Sequence, residues 1–104
     1  NNPDNYQFAT LTGFSHYSLR NHDAALSWAD EAIRMAPTFT QAYSLRAASL
    51  AQLDRIDEAK IAVNQYLEAV PDTTATRVAR SNRLRIQEDM EHFRQGLIKA
   101  GMPE

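Results

Sequence analysis

The chain contains no cysteine and few residues that interrupt helices. Its 104 residues include 3 Gly and 4 Pro. Without thiols there is no disulfide framework, no thiolate metal site and no cysteine nucleophile, which suits a reducing compartment and predicts a cytoplasmic protein. The sequence also lacks an apolar stretch of about 18 residues and a basic-then-apolar leader, so no association with a membrane is predicted.

An excess of charge of one sign is also absent. Eleven Lys and Arg stand against 13 Asp and Glu, which gives a formal net charge of −2. Nucleic acids and anionic membranes favour basic surfaces, so neither is expected as a partner. With 43% hydrophobic residues, the composition is that of a globular chain with one modest core, and residues 1–104 are predicted to form a single domain.

The sequence repeats itself at a distance of 34 residues. The shift aligns four pairs: Leu11 with Leu45, Gly13 with Ala47, Ala25 with Ala59, and Pro37 with Pro71. A small residue lets paired helices approach closely, and a proline ends the second helix because its ring cannot continue it. A period of 34 residues is typical of tetratricopeptide repeats. It predicts one repeat over residues 6–39, a second over 40–73, and a C-terminal helix with its cap over 74–104.

Ala, Leu, Arg, Gln and Glu dominate the long segments, and no run alternates apolar and polar residues as a strand would. The predicted helices span residues 5–20, 22–36, 39–53, 56–70, 73–81 and 87–100. Four residues are predicted to cap helix N-termini: Asp4, Asn21, Asp54 and Asp72. The last helix carries one apolar stripe: Ile86, Met90, Phe93, Leu97 and Ala100. This helix is predicted to stop at Gly101.

These residues resemble the tetratricopeptide family over residues 6–73. The resemblance implies an all-α fold in which antiparallel helix pairs stack as a right-handed superhelix, here with a C-terminal capping helix. Residues 45–51, 55–59 and 96–104 further resemble the C-terminal repeat region of bacterial class III adenylate cyclase-like proteins. Because the chain begins without methionine, we expect a segment of a longer protein, and the second resemblance implies that Glu104 is its natural C-terminus.

The first helix of each predicted pair carries a candidate partner-binding groove. On the first helix, the candidates share one face: Gln7, Thr10, Phe14 and Tyr17. Their partners one repeat later are Gln41, Ser44, Ala48 and Ala51. A groove of this kind suits a peptide or a helix from a partner protein. The alternative is that Phe14 and Tyr17 pack against a neighbouring repeat that is missing from this segment.

Four arginines form the notable charge cluster: Arg77, Arg80, Arg83 and Arg85. This cluster suits an acidic segment of a partner or a phosphate-rich ligand. The alternative interpretation is that the arginines pair with nearby carboxylates, namely Glu88, Asp89 and Glu91.

The sequence offers little for catalysis. His16, His22 and His92 do not fall at zinc-ligand spacing, and no nucleophile motif surrounds a serine, so no metal, cofactor or catalytic residue is predicted. The resemblance implies that any cyclase activity belongs to an upstream domain of the parent protein.

The leading functional hypothesis is therefore a protein–protein interaction or regulatory module whose partner is another protein, a peptide or the parent's own effector domain. A second hypothesis is a structural module that forms homo-oligomers, because two repeats leave an apolar edge on the first helix. A third is the repeat tail of a winged-helix transcriptional regulator.

Overall fold

The structure is a computed structural model that describes residues 5–81 and 87–104. These residues form α1 (Asn5–Ser18), α2 (His22–Met35), α3 (Thr40–Gln52), α4 (Ile56–Ala69), α5 (Ala75–Ser81) and α6 (Gln87–Lys99). The described residues contain no strand, so the predicted all-α class is confirmed, and each helix ends within two residues of its predicted bounds. None of these helices has the length and apolar character needed to cross a membrane.

Helices that follow one another pack as neighbours along the first four elements. α1 lies along α2, α3 lies along α4, and α2 packs against α3. Gly13 lets α1 approach both α2 and α3 closely, because a Cβ there would collide with Leu45 of α3 and lie 3.1 Å from the Cβ of Trp28 on α2. Arg46 on α3 joins Asp30 on α2 through a 2.7 Å ion pair.

The turns that follow α1 and α3 share the same backbone geometry. Arg20 has φ of 66° and Asp54 has φ of 61°, and the two residues stand one 34-residue period apart. In both turns the next residue donates its N–H over 2.9 Å to the carbonyl five residues earlier. This Schellman arrangement satisfies the last carbonyls of each helix. The 34-residue period of the sequence therefore recurs in the backbone conformation of these two turns.

The predicted helix caps agree less well with the structure than the predicted helix bounds do. Asp54 occupies the left-handed turn position and does not cap α4. At α5 the capping side chain is Thr74 rather than Asp72, since the Thr74 hydroxyl accepts the N–H three residues on at 3.2 Å. Asn21 does precede α2, but its side chain makes no capping bond. Asp4 lies outside the described residues.

The C-terminal tail folds back onto the helices. Gly101 has φ of 106° and ends α6 as predicted, and the Met102 N–H then reaches the Leu97 carbonyl at 3.0 Å. The Met102 side chain joins the main hydrophobic core. Ala75 donates its N–H to the Pro103 carbonyl at 2.6 Å. The tail thereby fastens the start of α5 to the end of α6.

Shortening the buried Met102 side chain should weaken this end of the fold. Met102→Ala is expected to lower the free energy of unfolding by about 2–3 kcal/mol, since it loses apolar burial and leaves a cavity. Urea unfolding followed by circular dichroism measures the change. The control is Ile61→Ala, whose side chain is 58% exposed and should change stability by about 0.5 kcal/mol or less. Equal losses in the two variants would contradict the burial of Met102.

Candidate functional site

The predicted groove residues lie on one face of α1 and α3, which we call the inner face. Six of the eight are buried: Thr10, Phe14, Tyr17, Ser44, Ala48 and Ala51. Gln7 is exposed and Gln41 is half-buried. The structure therefore brings the predicted residues onto two neighbouring helices and leaves the inner face open at its glutamine end.

The C-terminal helix covers the rest of the inner face. α6 packs against α3 and touches α1, and its fully buried Phe93 is the centre of that contact. The Phe93 ring meets the edge of Phe14 with centroids 5.1 Å apart and that of Tyr17 at 5.7 Å. A partner could reach Phe14 and Tyr17 only after α6 had left. Phe14 and Tyr17 pack against α6 of the same chain rather than against a missing repeat.

Gly96 determines how closely α6 approaches α1 and α3. A Cβ at this position would collide with the Tyr17 hydroxyl and lie 3.0 Å from the Cβ of Ala48. Ala48 on α3 has a small side chain and Gly96 on α6 has none, so the two helices touch nearly backbone to backbone. Ala48, predicted as a groove residue, is thus a helix-packing position.

Tyr17 joins three helices through its hydroxyl. The hydroxyl donates to the carbonyl oxygen of His92 at 2.9 Å and accepts from the Gln52 side-chain amide at 3.2 Å. Burial raises the pKa of Tyr17 far above its ordinary value, so the phenol remains a neutral donor at all ordinary pH values. These contacts show that Tyr17 holds α6 in place.

Two histidines distant in sequence meet beside Tyr17. The Nε2 atoms of His22 and His92 are 3.0 Å apart, so one neutral ring donates to the other. Burial, followed by the Arg20 guanidinium, lowers the pKa of both rings, that of His92 to about 4. Two carboxylates oppose these effects, Asp23 at His22 and Asp89 at His92. The folded chain therefore favours the neutral pair.

This pair of imidazoles does not amount to a metal site. Structural zinc takes four protein ligands and catalytic zinc takes three. Within residues 5–81 and 87–104, no three His, Asp or Glu side chains are placed to hold a metal ion. The histidine pair acts as a polar contact between α2 and α6.

The predicted basic cluster is divided by the boundary of the described residues. Two members lie exposed on α5: Arg77 and Arg80. The other two lie outside the described residues: Arg83 and Arg85. Of the carboxylates expected to pair with the cluster, Glu91 pairs with Arg94 at 3.0 Å, and Asp89 pairs with Arg20 at 3.5 Å.

A cleft of about 370 Å³ runs between α5 and α6. Its lining residues are Thr76, Ala79, Arg80, Gln87, Met90, Glu91 and Arg94. Arg94 is engaged by Glu91 and by the Thr76 hydroxyl at 3.0 Å, and it lies 3.6 Å from the Glu104 carboxylate. The cleft therefore mixes charges of both signs and gives little reason to expect a phosphate-rich ligand.

The opposite side of α1, which we call the outer face, is open and apolar. It consists of Phe8, Leu11, Thr12 and Ser15 of α1 together with Leu19 in the turn that follows. Their side chains fall on one side of the helix at three- and four-residue spacing. Phe8 is 69% exposed, Leu11 56% and Leu19 76%. Large apolar side chains gathered on one exposed helix face mark a surface for contact with another protein element.

Three of the five outer-face positions are covered one repeat later, while the other two, Arg46 and Leu53, are half-buried. One period after Phe8, Leu11 and Ser15 come Ala42, Leu45 and Ser49, and all three of these are fully buried. Ala42 shares a core cluster with Ala32 of α2. On α3, these positions are covered by the helix that precedes it, α2. The outer face of α1 is the surface that a preceding helix would cover in the same way.

The outer-face residues were not among the predicted site residues, although the sequence carries a signal for them. Residues 5–19 contain no Asp, Glu, Lys or Arg, whereas an exposed helix face usually carries charge. An uncharged helix with apolar residues on both sides indicates two contact surfaces.

Comparison of the chain with protein-family models, with curated proteins and with solved structures gives no match. The assignment of a function accordingly depends on the geometry of the chain itself.

Adding one methyl group at Gly96 should test the closure of the inner face. Gly96→Ala is expected to cost about 1–3 kcal/mol of unfolding free energy, because an overpacked contact forces neighbours apart. In the Tyr17→Phe background the cost should shrink, since the colliding hydroxyl is gone. A double-mutant cycle by urea unfolding measures this coupling. Additive effects, or a loss no larger than that of the exposed Gln95→Ala, would refute the contact.

The histidine pair predicts a component of stability that depends on pH. A pKa lowered by folding means that the unfolded chain binds more protons, so this component is complete above pH 6.5 and falls as the pH drops towards 4. Between pH 7 and 5 we expect a loss of about 1 kcal/mol or less, because both rings are partly solvated. His92→Gln should reduce that loss in urea titrations. An unchanged pH dependence in the variant would exclude the pair as its source.

Proposed function

We propose that this chain is a protein–protein interaction module of the tetratricopeptide type and that it docks its partner on the outer face of α1. The 34-residue period, the pairing of consecutive helices and the matching turns at Arg20 and Asp54 support the repeat assignment. The docking assignment is carried by one observation. Phe8 and Leu11 are exposed at repeat positions where Ala42 and Leu45 are fully buried.

The contact between α2 and α3 indicates what kind of partner fits. α2 presents the buried Ala32 at this interface, where it shares a core cluster with Ala42 of α3, so a helix with an apolar, uncharged face is the appropriate partner. Arg46 of α3 is paired with Asp30 of α2, but Thr12 replaces that arginine on α1. The partner accordingly needs no carboxylate at the corresponding position.

The inner face is a weaker candidate for the same function. Its aromatic part is covered by α6, and replacing Phe14 or Tyr17 would disturb the core rather than a binding site. What remains accessible is the polar end near Gln7 and Gln41. A partner bound there would gain little apolar contact.

The wider role remains the one that the sequence resemblance implies. In that proposal the module is the C-terminal part of a bacterial adenylate cyclase-like signalling protein, and the enzyme activity resides elsewhere in the parent. The tail of a winged-helix regulator is the alternative parent. In either parent the outer face of α1 joins this module to another helix.

A peptide titration tests the docking surface. The probe is a synthetic peptide of residues 21–38 with blocked ends, which carries the α2 surface that covers α3. In two-dimensional NMR spectra of the labelled chain, we expect shifts centred on Phe8, Leu11 and Ser15. Leu11→Asp should weaken binding at least about tenfold, since it places a charge in an apolar contact.

The matched control for that titration is Ile61→Asp on α4, because Ile61 is 58% exposed and Leu11 56%. The control should bind the peptide as the unmodified chain does. Shifts centred on Gln7 and Gln41 would transfer the docking site to the inner face. No shifts at any peptide concentration would overturn the outer-face assignment.

A further inference from the structure

We infer that the helix received by the outer face is α1 of a second copy of this chain, so that two chains pair about a two-fold axis. The inference rests on the proposed function, because it names the partner of the same surface. Among the helices of the described residues, α1 alone contains no Asp, Glu, Lys or Arg. Two copies of α1 can therefore meet without repulsion between like charges.

The side chains of the outer face complement one another in an antiparallel pair. If the two-fold axis is level with residues 13 and 14, Phe8 of one copy lies opposite Leu19 of the other, and Thr12 lies opposite Ser15. Large apolar groups then meet at both ends, and short hydroxyl side chains in the middle allow the helices to approach. A surface that matches itself under two-fold rotation is what a symmetric dimer requires.

The symmetry of the pair limits how copies can associate. In a two-fold pair the outer face of each copy is occupied by that of the other, so neither copy has an outer face left for a third. Self-association through α1 should therefore stop at the dimer.

The contact is small, since each copy contributes three large apolar side chains. Specific stable interfaces usually bury about 800 Å² per partner. We accordingly expect a weak, reversible dimer that appears in the upper part of the concentration range. Sedimentation equilibrium between about 10 µM and 1 mM covers the dissociation constants of such contacts.

A charge exchange at the centre of the contact tests the two-fold pairing. One double variant is Thr12→Glu with Ser15→Glu, and the other is Thr12→Lys with Ser15→Lys. Both hydroxyls bond within their own helix, to the carbonyls of Phe8 and Leu11, so the fold should tolerate the changes, which circular dichroism checks. Each variant alone should dimerise at least about tenfold more weakly than the unmodified chain, and an equimolar mixture should recover dimer.

The control places glutamates with the same spacing at exposed positions of α4, as Ile61→Glu with Asn64→Glu, and should dimerise like the unmodified chain. An unmodified chain that stays monomeric throughout, a control that dissociates equally, or species larger than a dimer would overturn the inference. The peptide titration separates this failure from that of the proposed function. Peptide binding on α1 in a monomeric chain would refute self-pairing and leave the docking surface intact.

Discussion

The architecture depends on the close contact of α6 with α1 and α3. Gly96 places its backbone against Ala48 and the Tyr17 hydroxyl, and Phe93 fills the space beside Phe14. Dispersion and apolar burial at such a contact require that side-chain volume be absent where the backbones meet. The hydrogen bonds of Tyr17, the histidine pair and the position of the C-terminal tail all follow from this placement of α6.

The same contact decides which apolar surface remains exposed. α6 packs against α3 and touches α1, so it occupies most of the inner face. The outer face of α1 is left with exposed apolar side chains and no charge. Since water solvates such a face poorly, covering it with another helix is favourable. The exposure of the outer face of α1 is thus a consequence of how the rest of the chain closes on itself.

Much of the fold could be predicted from local sequence signals. Pro37 and Pro71 separate helix pairs, Gly101 ends the last helix in a left-handed turn, and the 34-residue period identifies corresponding helices. Helix caps were less predictable, because several polar residues stand near each helix start. Asp54 occupies a left-handed position that its repeat partner, Arg20, also adopts. Arginine gives no sign of that geometry, and aspartate is favoured both there and at helix N-caps.

The candidate site was only partly predictable, for a physical reason. The spacing of Phe14 and Tyr17 indicates an apolar face, and the stripe through Phe93 indicates another, but apolar contact is not directional and periodicity does not say which faces meet. His22 and His92 are 70 residues apart, so no local pattern joins them. Leu11 and its repeat partner Leu45 differ in solvent exposure. That exposure depends on which neighbouring helices cover each position, and the residue type does not indicate it.

The central claim is that α6 closes the inner face while the outer face of α1 stays open, and solvent accessibility in solution tests it most directly. With a dilute labelled chain and a soluble paramagnetic probe, NMR relaxation enhancement reports how near water comes to each assigned side chain. The account predicts strong enhancement at Phe8 and Leu11 and little at Phe14, Tyr17 and Leu45. Strong enhancement at Phe14 and Tyr17, together with protection of Leu11, would contradict it.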